Sequence, residues 1–274
     1  TDIDETLNMS PKSLESLITK KTKAIIPVHM LGVPADMISI NKIGKRFKIP
    51  IIEDACEAIG AKVAKKYVGG LSEFGVFSFD FGKMITTGEG GALFSKKKND
   101  GKIARMYHDH GHKNIPDLPR GLDRAGLIGF NYRMTEISGA FGKVQLGKFS
   151  SILKESKKRY LCLERYISHN QIKLRHVNLG NEPNYDTFVI SIENKKLRNR
   201  VISLLNETGF GTKNLPDAFN WHCAYFWEHF DKNIRNKEVT SCYNRLINCI
   251  AIPILVSRPI IDYKNIASYI NECS

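Results

Sequence analysis

The sequence predicts an α/β fold: a larger domain built on an open, mostly parallel sheet, then a smaller α+β domain. Three observations carry this. Residues 24–53 read as a strand, a helix and a strand; further short apolar runs follow at 75–79 and 91–95; and a long helical stretch then leads into a second set of strands and helices.

Residues 24–28, Ala-Ile-Ile-Pro-Val, form an apolar run of strand length. Residues 36–47 place Met37, Ile40, Ile43 and Phe47 at helical spacing, with Pro34 ahead and Asp36 as a plausible cap. Residues 49–53 return into the sheet, completing a βαβ unit. The runs at 75–79 and 91–95 are expected as additional buried strands. From 131 to about 167 the apolar positions Ile137, Phe141, Val144, Leu146, Phe149, Ile152 and Leu153 approximate a 3.6-residue period, predicting a long connecting helix. Beyond it, 187–192 and 250–254 read as strands and 196–208 as a helix. The expected division is residues 1–155 for the large domain and 156–274 for the small one.

The chain has 274 residues, 42% hydrophobic and 25% charged, ordinary globular composition. Its apolar runs fall far short of the ~20 residues of a membrane helix. No signal-peptide pattern opens the chain, and the six cysteines lie apart with no CxxC pair, so reduced thiols in a cytoplasmic setting are expected, without membrane association. The formal charge is +13, yet the lysines are scattered, with no basic helix, zinc-finger spacing or interleaved aromatics. A solvated surface, or attraction of an anionic substrate, accounts for the charge better than nucleic acid.

Residues 78–91, Ser-Phe-Asp-Phe-Gly-Lys-Met-Ile-Thr-Thr-Gly-Glu-Gly-Gly, place a single lysine between an apolar strand and a glycine cluster. A P-loop is excluded, because Phe77 and Met84 stand where the glycine and the Ser or Thr are needed, and Gly-Glu-Gly-Gly lacks the dinucleotide-binding order. His108, His110 and His112 alternate, a spacing unsuited to one helical face, so a polar helix terminus is preferred over a metal site. Lys83, just past a strand end, lies where α/β proteins keep their chemistry. Desolvation favours the neutral amine that attacks an aldehyde carbonyl, and the commonest partner of such a lysine is pyridoxal phosphate, whose ring nitrogen wants a carboxylate. Asp54, at the end of the second strand, offers one. Taken singly, Asp54 reads first as an ordinary strand-end cap and Lys83 as an exposed loop lysine; it is the two together, both at strand ends, that point to a coenzyme.

Four segments in order, residues 22–29 (Thr-Lys-Ala-Ile-Ile-Pro-Val-His), 52–57 (Ile-Glu-Asp-Ala-Cys-Glu), 78–91 and 130–136 (Phe-Asn-Tyr-Arg-Met-Thr-Glu), resemble successive motifs of the DegT/DnrJ/EryC1/StrS sugar aminotransferases. The resemblance covers nearly the whole chain. It implies the type I fold of pyridoxal-phosphate enzymes and a homodimer with shared active sites. It further implies amino transfer, with glutamate as donor, to a keto or aldehyde sugar such as an octulosonate or nucleotide-linked sugar of lipopolysaccharide or another surface polysaccharide. Lys83 would bind the coenzyme covalently, Asp54 pair with its ring nitrogen, Ser78 hold its phosphate, and Asn131 reach the phosphate of the neighbouring subunit. Glu57 stands where the family often has Gln or His beside the coenzyme's phenolic oxygen, and a carboxylate there needs a proton or another partner. Retention of lysine points away from the related dehydratases, which have histidine at that place.

Residues 209–227 are rich in amide, ammonium, indole and imidazole groups and resemble the substrate loop of a subgroup that aminates position 8 of an octulosonate. Lys213, Asn214 and His222 are its candidate substrate contacts; Trp221 and Trp227 suit core packing as well as sugar stacking. Family members usually carry roughly a hundred further residues before the point where Thr1 stands, the length of a missing part of a domain. A Gly-Thr phosphate loop and a ring-stacking aromatic belong to that part, so a catalytically inactive or binding-only subunit is the alternative expectation.

Overall fold

The computed structural model describes residues 1–124, 126–223, 226–228 and 240–273. Helix α1 (Pro11–Leu17) is followed by α2 (Met37–Phe47), whose first turn is closed by Asp36 Oδ1 accepting the Ser39 N–H at 3.1 Å. Met37, Ile40 and Ile43 of α2 are buried against Ile25, Ile49 and Ile51, while Phe47 is 42% exposed. Strand β1 (Ile52–Asp54) pairs in parallel with β4 (Phe74–Ser78), and β4 pairs antiparallel with β5 (Gly91–Ser95). Residues 24–28 join this sheet only through two parallel bridges, Ile25 to Ile51 and Val28 to Asp54. Pro27 has no N–H to give a continuous ladder, which accounts for the interruption. The sheet is therefore mixed, and β5 is exposed on both faces instead of buried as its apolar run suggests.

Two short strands, β2 (Lys62–Val63) and β3 (Lys66–Tyr67), fold back between β1 and β4. Helix α3 (Lys98–His108) follows β5, and α4 (Glu136–Tyr166) begins at Thr135, whose hydroxyl accepts the Ser138 N–H. The anticipated apolar stripe of α4 divides along its length: Ile137, Phe141, Val144 and Leu146 are exposed, whereas Tyr160 and Leu163 are buried.

The remainder is built on β6 (Lys173–Leu174), β8 (Thr187–Ser191) and β9 (Cys249–Pro253), all antiparallel. Strand β7 (Asn181–Glu182) leaves that sheet and pairs with β2, tying the two halves. Helices α5 (Lys195–Glu207), α6 (Phe219–His222), α7 (Thr240–Leu246) and α8 (Ile260–Asn271) complete the described residues. Phe188, Ile190, Ile252, Leu197, Val201 and Tyr263 form the core between this sheet and α4, α5 and α8. Arg175, partly buried, joins the halves by donating to the Thr6 carbonyl at 2.7 Å and the Met30 carbonyl at 2.8 Å. No described helix is long and apolar enough to cross a membrane.

Candidate active site

The parallel pairing of β1 with β4 sets Asp54 opposite Val76, so the carboxyl ends of both strands open on one edge of the sheet. What positions β1 is its neighbour Glu53. Its buried carboxylate accepts N–H groups from Gly69 at 2.7 Å and from Leu71 and Ser72 at 2.6 Å, with His29 Nε2 at 3.3 Å. His29 Nδ1 accepts the Ala35 N–H, so its proton sits on Nε2 and points at Glu53. Burial pushes Glu53 up, but His29 and the loop N–H groups together hold its carboxyl below the usual value.

Asp54 Oδ1 accepts the Cys56 N–H at 3.1 Å. Past β4, Ser78 Oγ accepts the Asp80 N–H at 3.3 Å, and Asp80 closes a turn by accepting the Gly82 N–H on its side chain and the Lys83 N–H on its carbonyl. Gly88 then takes φ +81°, a conformation that a side chain would oppose, as the chain swings round to β5. Lys83 Nζ emerges 3.7 Å from Glu57 Oε1 and 3.9 Å from Asp80 Oδ2, with its side chain 19% exposed.

Glu57 is held at both oxygens. Oε2 accepts the Leu31 N–H at 2.9 Å and Oε1 accepts the Asn214 amide at 2.8 Å. A carboxylate at this position therefore has partners, and the requirement raised by its charge is met by hydrogen bonds and a lysine. The Cys56 thiol registers the surrounding charges: burial pushes it up to about 12, Asp54 adds to the rise, and Lys83 pulls the other way. Asp54, Glu57 and Lys83 thus share one neighbourhood.

A cavity of about 740 Å³ opens beside these groups, with Glu57, Lys83, Ile152, Asp186, Lys213 and Asn214 on its wall. It brings together four of the sequence-predicted residues: Glu57, Lys83, Lys213 and Asn214. Asp54 and Ser78 lie at the adjoining strand ends and do not line it. Asn131 is exposed, bridging to Asp109 beyond α3, and His222 is exposed at the end of α6. Trp221 is 77% exposed and so takes no part in the core; Ala224 and Tyr225 of the same loop lie outside the described residues. Sequence reasoning missed Asp80, Asp186 and the Leu31 N–H. Asp80 stands three residues before Lys83 in the motif itself; Asp186, which pairs with Lys213, carries no local signal.

The chemistry of this donor set suits pyridoxal phosphate. A primary amine faces a roomy cavity, and a carboxylate stands at the adjoining strand end, beside a thiol that senses both.

The model of the DegT/DnrJ/EryC1/StrS aminotransferase family matches residues 1–258. GDP-perosamine synthase of Caulobacter vibrioides (strain ATCC 19089 / CIP 103742 / CB 15) is 36% identical over 176 residues, 64% of this chain and 46% of that protein. GDP-perosamine synthase of Escherichia coli O157:H7 is 35% identical over 212 residues, 75% of this chain and 56% of that protein. The chain spans about half the length of these curated relatives. Among solved structures, 3-amino-5-hydroxybenzoic acid synthase superimposes with a TM-score of 0.83 at 25% identity, over 99% of this chain and 72% of that one.

Proposed function

Because the chain belongs to the DegT/DnrJ/EryC1/StrS aminotransferase family, with the type I fold of pyridoxal-phosphate enzymes, we propose that it serves in amino transfer from glutamate to a keto or aldehyde sugar. The names of its relatives favour a nucleotide-linked sugar over a free octulosonate, and in this reading the product goes to a surface polysaccharide. The observation that carries the proposal is the placement of the Lys83 amine on the cavity wall, within reach of Glu57 and in the neighbourhood of Asp54.

When bound, pyridoxal phosphate supplies an aldehyde for that amine and a ring that withdraws electrons from the reacting carbon. Lys83 is the residue that holds it and, once its Nζ is free, carries a proton as base and then as acid. Asp54 would pair with the ring nitrogen and favour its protonated form, and Ser78 would help hold the phosphate. Asn131, exposed beyond α3, contributes across a homodimer interface to a second site. In this reading residues 1–155 form the coenzyme-binding domain and 156–274 the domain that brings Lys213, Asn214 and His222 to the sugar, in the cytoplasm.

The test is chemical capture. The chain incubated with pyridoxal phosphate and reduced with borohydride should gain one phosphopyridoxyl group on the peptide containing Lys83, read by mass spectrometry, and Lys83→Ala should gain none there. A wild-type chain left unmodified at Lys83 would overturn the proposal.

A further inference from the structure

Glu57 and Lys83 approach each other without closing. Their side chains are 12% and 19% exposed, yet Oε1 and Nζ stand 3.7 Å apart, longer than an N–H···O contact between charged groups. The reason is visible on the same oxygen, which accepts the Asn214 amide at 2.8 Å, while Leu31 N–H fixes the other. Asn214 is set for this by its backbone. It takes φ +67°, a left-handed conformation that asparagine tolerates better than most side chains. The preceding residue is fastened twice, by its N–H to the Ala251 carbonyl at 2.9 Å and by the ion pair of Lys213 with Asp186.

We propose that Asn214 is a positioning residue that competes with Lys83 for Glu57 Oε1, holding the carboxylate off the amine and keeping that amine available to react. A carboxylate drawn into direct contact favours the ammonium form and withholds the nucleophile; one engaged elsewhere does so less. The seating of residues 212–214 thereby sets the reactivity of a lysine more than a hundred residues earlier in the chain. The other charged or titratable groups around Lys83 are Asp80 at 3.9 Å, Asp54 and the Cys56 thiol at the strand end, and Lys213 with its partner Asp186 across the cavity. Since Asp186 is engaged by Lys213, Glu57 and Asp80, at 3.7 and 3.9 Å from Nζ, are the carboxylates that act most directly on the amine.

This inference rests on reading Lys83 as the reactive amine, but its test needs no coenzyme. Trace acetylation of the intact chain at a fixed pH near neutrality, followed by mass spectrometry, gives the labelling rate of Lys83 against exposed Lys96 and Lys97 in the same sample. Asn214→Gly removes the amide while suiting the positive φ, and should slow Lys83 by about threefold, the scale of a partly exposed ion pair. Glu57→Gln should speed it by a similar factor, and adding Asn214→Gly to that variant should change nothing further. Equal rates for Lys83 in wild type and Asn214→Gly, or the same slowing in both backgrounds, would overturn the proposal. A chain that shows this pattern but captures no pyridoxal phosphate would count against the proposed function alone.

Discussion

Glu53→Gln should destabilise the chain by about 4 kcal/mol. The carboxylate serves four donors, two on each oxygen: Leu71 and Ser72 N–H on Oε1, Gly69 N–H and His29 Nε2 on Oε2. Glutamine keeps the shape but offers one oxygen. Turned toward Leu71 and Ser72, it sets its NH2 against two donors, and His29 cannot escape by moving its proton, because Nδ1 already accepts from Ala35. Two buried donors without an acceptor cost ~2 kcal/mol each, against a total stability of 5–15 kcal/mol for a typical domain. The loss is read from urea midpoints and slopes by circular dichroism. The folded carboxyl is held below its ordinary 4.5, so its contribution is present above that value and fades as pH falls through the folded value. The gap between wild type and variant should therefore narrow in acid. A variant within about 1 kcal/mol of wild type at pH 7 would show that the four contacts are not a buried charge-assisted set.

Gly75→Ala should cost more than about 2 kcal/mol by thermal unfolding, because its new Cβ would lie 1.9 Å from the Gly69 carbonyl oxygen, on the very loop Glu53 holds, and backbone cannot step aside cheaply. Asp109→Asn should lose stability at neutral pH and converge with wild type in strong acid. Arg133, then burial opposing, then Arg120 act on Asp109, and the net effect is a carboxyl well below its ordinary 3.8; its contribution is present above that value and lost on acidification. Urea midpoints at pH 7 and pH 3 check this, and a gap that does not shrink at pH 3 counts against it. Ile252→Ala, at a fully buried position of β9 opposite Phe188, should cost 2–5 kcal/mol, roughly the range for such cavities.

The sequence announces what is local. Asp36 caps α2 as its type and place suggest, the 3.6-residue spacing of Met37, Ile40 and Ile43 is the buried face, and Lys83 does lie past a strand end on a cavity. It misleads where apolar character and burial separate. Leu93 and Phe94 on β5 and the first half of α4 are as apolar as core residues yet stand exposed. It is silent where partners are distant in the chain. Nothing near Glu57 signals Asn214, 157 residues away, nor that Leu31 with φ +49° would turn its N–H to that carboxylate. Such pairings arise only when both halves have folded together, which local propensity does not encode.

Helix α4 runs for 31 residues, about 46 Å, and its two halves live in different surroundings. Residues near Tyr160 and Leu163 can release their amides only if the core beneath them opens, whereas those near Ile137 and Phe141 need only fray. Deuterium uptake should therefore rise steeply from one end of this single rod to the other, and whatever binds the exposed end will announce itself by flattening that gradient.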